Sequence, residues 1–149
     1  MGKPNKLRPL AVAVIRREDA IFVGEYESDK PQYAHFYRPT GGKIEFQESG
    51  AETAKREFME EVQLEITITG YLDTLESIFT YRNKPHHELV RVYTADFLDD
   101  ACYAADFTVH GTDGKRILFL AKWMPLQVFR DGQVPLFPDG LLDLLDSVP

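Results

Sequence analysis

Gly42-Lys43-Ile44-Glu45-Phe46-Gln47-Glu48-Ser49-Gly50-Ala51-Glu52-Thr53-Ala54-Lys55-Arg56-Glu57-Phe58-Met59-Glu60-Glu61-Val62-Gln63-Leu64 reads as a turn, a helix and a helix stop. From about Gly50 to Val62, Ala51, Ala54, Phe58 and Val62 recur at spacings of three and four, which makes an apolar stripe. At ~100° per residue, Glu57, Glu60 and Glu61 fall within an arc of roughly 100° that flanks this stripe. Three carboxylates are thus held side by side at the edge of a buried face. At an effective dielectric near 20, two charges about 6 Å apart repel by roughly 3 kcal/mol. Like charges at i,i+3 and i,i+4 also weaken the helix itself. A divalent cation that prefers hard oxygens, Mg²⁺ or Mn²⁺, would relieve the repulsion and leave positions open for substrate oxygens. An isolated Glu-x-x-Glu-Glu string is more often a solvated helix face. Here the string follows a glycine turn (Pro39-Thr40-Gly41-Gly42), a further acid at Glu48 and an arginine at Arg56.

These residues resemble the Nudix hydrolase signature: Gly, five residues, Glu, seven residues, Arg-Glu, an apolar residue, any residue, Glu-Glu, any residue, Gly, and an apolar residue. Gly42, Glu48, Arg56-Glu57, Phe58, Glu60-Glu61 and Leu64 match in register, and Gln63 stands where the family usually has glycine. The resemblance implies an α/β fold, an α/β/α sandwich with a mixed β-sheet between helices, spanning residues 1–149 as one domain. A Trp-Met-Pro-Leu segment, Trp123 to Leu126, is similar to the family's late strand.

The same resemblance implies hydrolysis of a nucleoside diphosphate linked to another moiety, by attack of water on phosphorus with Mg²⁺ or Mn²⁺ as cofactor. The alternative is a module that senses a nucleotide on a Nudix scaffold without cleaving it. As metal ligands it implies Glu57, Glu60 and Glu61, with the main-chain carbonyl of Gly42, where the glycine pair lets the backbone approach closely. For Arg56 it implies a fork-like ion pair that orients a box carboxylate such as Glu48.

The general base is left open between Glu61 in the box and an acid outside it. Glu88 shares parity with Val90, Val92 and Thr94 and reads as projecting from a buried face into the cleft. Glu76, on the parity of Leu72 and Ile78, competes with it. Arg38, four residues before Gly42, reads either as a phosphate ligand or as a strand-end surface arginine. His86 and His87 point to opposite faces if extended, so they are not expected to share a metal. Cys102 reads as a bystander. Tyr81 lies near a tyrosine of some dinucleoside-polyphosphate hydrolases of the family. Gln63 is expected to end the helix in a left-handed conformation at a cost on the order of 1 kcal/mol, without removing a ligand.

At 149 residues the chain suits one domain with a real core. A net charge of −7 and no basic stripe argue against nucleic acid as a main partner. They leave room for a small anionic substrate, because a metal and a few cations invert the field of one cleft. The lone cysteine fits a reducing compartment, and no apolar run approaches the ~20 residues of a membrane span, so a cytoplasmic protein is expected. Nudix dimers are common, which makes a homodimer possible. ADP-ribose, nucleoside triphosphates, dinucleoside polyphosphates and nucleotide sugars all fit as substrates.

Around the helix, strands are expected at Leu7 to Arg16, Ile21 to Tyr26, Phe36 to Arg38, Leu64 to Tyr81, Leu89 to Phe97 and Ile117 to Met124. Gly70 sits where apolar parity changes and predicts a bulge or a break. Arg82-Asn83-Lys84-Pro85 is expected as a turn. Asp139 is expected to cap a closing helix from Gly140 to about Leu145.

Overall fold

The computed structural model describes residues 5–148. The apolar run of the first strand, β1 (Leu7–Val14), is buried from Leu10 onward on both faces, so this strand lies in the middle of the molecule. Arg16–Arg17 (β2) and Ala20–Glu27 (β3) form a hairpin, followed by His35–Arg38 (β4) and Gly41–Lys43 (β5). Helix α1 covers Gly50–Val62, as its spacing predicts. A long hairpin comes next, β6 (Ile66–Tyr81) and β7 (Lys84–Phe97), and then a 3-10 turn at Asp100–Tyr103. Thr108–Thr112 (β8), Ile117–Pro125 (β9), Leu126–Arg130 (α2) and Leu141–Asp146 (α3) complete the chain.

The strands divide into a mixed sheet, β5-β1-β7-β6, and an antiparallel one, β2-β3-β9-β8 with β4 also on β3. Among the described strands β1 and β7 are the parallel pair, with an isolated parallel bridge from Tyr37 of β4 to Leu136. Alternation then sorts the side chains. Ala11, Ala13, Ile15, Phe22, Tyr93, Ala95 and Phe97 pack against Ala54, Phe58 and Val62 of α1. Leu10, Val12, Val14, Ile21, Val23, Val90 and Val92 pack against Leu126, Phe129, Leu141 and Leu145 of α2 and α3. Strands buried on both faces between helices are an α/β/α sandwich.

Several boundaries differ from the sequence reading for local reasons. β1 stops at Val14, and the turn falls at Glu18–Asp19, where Glu18 has φ 54°. β7 begins at Lys84, not Leu89, because Arg82 and Asn83 (φ 51° and 64°) close a two-residue hairpin turn and Tyr81 pairs directly with Lys84. Pro85 is tolerated there because it lies beyond the end of β1, whose first partner in β7 is His87. β6 is one strand, and the parity change at Gly70 is met by register shifts on either side of it. Asp139 is not the cap of α3: Gly140, at φ 89°, holds that position without any side-chain cap. The sequence reading missed β8, α2 and the 3-10 turn; it took Gly41–Gly42 for a turn where they pair with β1 as β5, and Leu126, read into the late strand, opens α2.

At its start, α1 carries a signal that the pattern contained unread. Ser49-x-x-Glu52 forms a capping box, with the Glu52 N–H donating to Ser49 Oγ at 3.1 Å and the Ser49 N–H to Glu52 Oε1 at 3.2 Å. At its end Gln63 takes φ 59° and ψ 35°, the expected left-handed cap, and its N–H donates to the Met59 carbonyl at 3.1 Å. Among the described residues no helix is long and apolar enough to cross a membrane.

Candidate active site

Arg56 is the hub of the acid cluster. Its Nε and Nη2 donate to Glu48 Oε2 and Oε1 at 2.8 and 3.0 Å, the fork pair expected for this position. Nη1 donates to Glu57 at 2.9 Å and to Glu60 at 3.1 Å, and Nη2 also reaches the Lys43 carbonyl. Hydrogen bonds from Arg56, with a further one from Thr53 Oγ1, bring the Glu48 carboxyl down to about 2. Glu48 is therefore fixed as an anion and fixes the guanidinium in turn.

The acids beyond Arg56 differ in setting. The Glu57 side chain is only 15% exposed whereas Glu60 is 57% exposed, so Glu60 forms the outer rim. Burial raises Glu57 despite its bond from Arg56, and Glu60 and Glu48 push the same way. Burial, with Glu57 and Glu60 nearby, pushes Glu61 up to about 8, against the pull of Arg38. Gly42 lies directly on Glu57: a Cβ there would sit 2.5 Å from the Glu57 carboxyl carbon. Hence β5, held to β1 through the pair Ala11–Gly42, brings its backbone against the box with no room for a side chain.

As they stand, no three His, Cys, Asp or Glu side chains among the described residues converge on one point, because Glu57 and Glu60 both turn to Arg56. The donor set nonetheless fits a divalent cation. All the side-chain donors are hard carboxylate oxygens; burial first, and the neighbouring acids second, raise Glu57 and Glu61, and a bound cation would offset both.

Beside the box opens a cavity of about 570 Å³, which it meets through Gly41, Gly42, Lys43 and Glu61. Arg38 and Glu88 line it together, with Arg38 Nη2 3.5 Å from Glu88 Oε1. Glu88 is buried at 4% exposure, as its parity implied. Glu76 is on the other face of β6, exposed and bound to His87 at 2.8 Å, so it does not enter this cavity. His86 does enter it, stacked on Phe79 with ring centroids 4.9 Å apart. The two histidines face opposite ways, as alternation requires. Cys102 is buried away from the cavity.

Sequence reasoning missed the cavity's aromatic walls. Tyr26, Phe36, Phe79, Tyr81 and Phe137 come from β3, β4, β6 and the segment before α3. Tyr26 and Phe36 are stacked, and Phe36 meets Tyr81 and Phe137 edge-on. Tyr81 also donates to the Glu27 carbonyl, and Asp29 accepts from the Arg82 N–H, which ties the loop after β3 to the hairpin tip. Only Tyr81 carried a cue, and that came from the family resemblance.

Comparison with known proteins agrees with this architecture. The sequence profile of the NUDIX domain matches residues 6–144. The solution structure of the E. coli ORF135 protein superposes with a TM-score of 0.65 at 20% identity, covering 96% of this chain and 91% of that one. A MutT protein from Methanosarcina mazei Go1 gives 0.63 at 16% identity, over 98% and 95%. A MutT NUDIX hydrolase from Burkholderia pseudomallei gives 0.59 at 20% identity, over 83% and 86%. No curated protein sequence is a significant match.

Proposed function

This chain belongs to the NUDIX family and is a Nudix-type pyrophosphohydrolase, and we propose that it cleaves the diphosphate of a small nucleoside diphosphate derivative with Mg²⁺ or Mn²⁺ bound. The observation that carries the reading is the adjacency of Glu57, Glu60, Glu61 and the Gly42 backbone to a cavity that also contains Arg38. Glu57, Glu60, Glu61 and the Gly42 carbonyl would hold the ion. When bound, it supplies Lewis-acid neutralisation of the diphosphate oxygens.

The chain's own residues do the rest. Arg56, clamped by Glu48, positions Glu57 and Glu60. Arg38, paired with Glu88 and lining the same cavity as Glu61, binds a phosphate oxygen. The attacking water forms its bond to phosphorus as the bridging P–O bond breaks, and its proton passes to a carboxylate. Of the two acids left open as base, Glu61 is the better placed: it touches both box and cavity, whereas Glu88 is engaged by Arg38. An ion-paired carboxylate is the weaker base. The net charge of −7 favours a small-molecule substrate over a nucleic acid, and the lone cysteine fits a cytoplasmic location.

Phosphate release from a panel of nucleoside diphosphate derivatives tests the reading. Millimolar Mg²⁺ or Mn²⁺ is expected to switch cleavage on and to raise the melting temperature. Equal cleavage in excess EDTA would overturn it.

A further inference from the structure

We propose that the second half of β6 is an assembly surface, through which two copies of this chain pair edge to edge about a two-fold axis at Ile78. The inference stands apart from the hydrolase reading and does not rest on it.

An edge strand presents a row of unpaired backbone N–H and C=O groups, which proteins blunt with short strands, lysine, proline or bulges. The edge strands β5 and β8 are short, at three and five residues. β6 has sixteen residues and contains no lysine, arginine or proline. Its sheet neighbour is β7 on one side alone. Register shifts between Ile68 and Gly70 and between Tyr71 and Asp73 break up its first half. From Asp73 to Tyr81 the ladder to β7 is regular. Among the described residues, the main chain of Leu75 to Tyr81 makes no backbone hydrogen bond beyond that ladder. Every second residue there turns its N–H and C=O outward without a partner.

The side chains along this stretch favour a second copy as the partner. Ile78 is 68% exposed, and Glu76 and Thr80 flank it, exposed, on the same face. Asp73 and Glu76 are the strand's charges, and Glu76 meets His87 of its own hairpin at 2.8 Å. Just past the strand, the Arg82 guanidinium lies 5.1 Å over the Tyr81 ring and has no ion-pair partner among the described residues. The stretch is thus acidic in its middle and basic at its tip, a pattern that complements its own reverse. Antiparallel pairing about Ile78 sets Ile78 against Ile78, Glu76 opposite Thr80 and Arg82 opposite Thr74. Arg82 of one copy is then diagonal to Glu76 of the other, within reach of a long side chain. A two-fold at Glu76 would instead oppose two like charges.

The pairing uses up the free edge of both copies, so assembly closes at two chains. Thr74 to Arg82 on each side is far short of the roughly 20–30 residues a side of a standard interface, so the dimer is weak and reversible.

Sedimentation equilibrium of the full chain between about 1 and 500 µM tests this, the weak end of the range for protein pairs. The mass is expected to rise from 17.1 kDa towards twice that value. Ile78→Lys puts two like charges on the axis and is expected to weaken pairing about tenfold or more, with the melting temperature of the dilute protein unchanged. Arg82→Glu weakens it several-fold, and Glu76→Arg combined with Arg82→Glu in one chain restores it. Hydrogen exchange of the Thr74 to Tyr81 amides is expected to slow as concentration rises. A mass of 17.1 kDa throughout would leave the edge to some other occupant and overturn the proposal. Growth beyond two chains, undiminished pairing in Ile78→Lys, or a double variant no better than Arg82→Glu alone would overturn it too. If Ile78→Lys does not fold, the Arg82→Glu variant and its rescue decide.

Discussion

The acid-bearing helix and the aromatic cavity share a border at Gly41–Lys43 and Glu61, yet they are built in opposite ways. The helix residues lie within one stretch of chain, where a 3.6-residue period fixes which of them meet. The cavity draws Tyr26, Phe36, Phe79, Tyr81 and Phe137 from elements far apart in sequence. Local spacing governs the first, and strand pairing governs the second. On the function proposed above, the same division would separate the work: charge for the reacting diphosphate on one side, contact with the rest of the substrate on the other. If the two regions are energetically as separate as they are structurally, a change in one leaves the other's contribution intact.

The largest effect belongs to the helix. Glu60→Gln keeps the shape and removes one proposed metal ligand, and turnover is expected to fall ~100-fold or more. Stability without metal rises slightly, because repulsion with Glu57 and Glu61 is relieved. Binding to the cavity is unchanged. A Glu60→Gln enzyme with near wild-type kcat would remove Glu60 from the ligand set.

The cavity should answer in KM. Phe36→Ala deletes the ring that stacks on Tyr26 and meets Tyr81 and Phe137. Losing one stacking partner raises KM about tenfold while kcat moves less than a few-fold, and the melting temperature drops because a half-buried aromatic is gone. An equal fall in kcat would mean that the wall also sets the geometry of the reacting phosphate, and the division would fail.

The difference in construction also explains what the sequence revealed. Helix α1 was readable to its ends, because Ala51, Ala54, Phe58 and Val62 share one face and Gln63 stops it. The Arg56–Glu48 pair was implied by the family resemblance and not by the pattern itself. Glu88 was readable in part: its parity with Val90 and Val92 gave its burial, but its nearness to Ser77 and Arg38 depends on ladder register and tertiary packing. Phe137 was invisible, since nothing local says that a loop residue near the C-terminus meets Phe36 of β4. Strand β7 was read too short because Pro85 suggests a turn, while pairing with β6 keeps it in the ladder.

Acid and base limits of stability separate two parts of the box itself. Glu48 is held at about 2, below its ordinary 4.5, so its pairing stabilises the fold fully above 4.5 and is lost as pH falls through about 2. Glu61 is the reverse. Held up at about 8, it destabilises the fold at high pH, and the penalty fades as pH falls from 8 towards 4.5. With EDTA present, the melting temperature should therefore rise from pH 8 to about 5 and fall below 4.5. Glu61→Gln flattens the upper limb, and Glu48→Gln flattens the lower. A profile insensitive to either change would mean that both acids are equally solvated in the folded and unfolded chain.

The smallest effect is expected at Gln63, where helix geometry and chemistry part company. Its φ of 59° and ψ of 35° place a residue with a Cβ in the left-handed region, at roughly 1 kcal/mol or more above glycine. Gln63→Gly removes that strain, and the extra freedom of glycine in the unfolded chain gives part of it back. The net gain is up to ~1 kcal/mol, read as a higher denaturation midpoint with an unchanged slope. Its side chain is exposed and does not line the cavity, so turnover at saturating Mg²⁺ should change less than a few-fold. The backbone matters more than the side chain here, because the cap fixes where β6 starts while Glu60 and Glu61 already sit inside the helix. A large fall in rate at unchanged stability would show that the end of α1 reaches the reacting groups after all, and that helix cap and catalytic box are not separable.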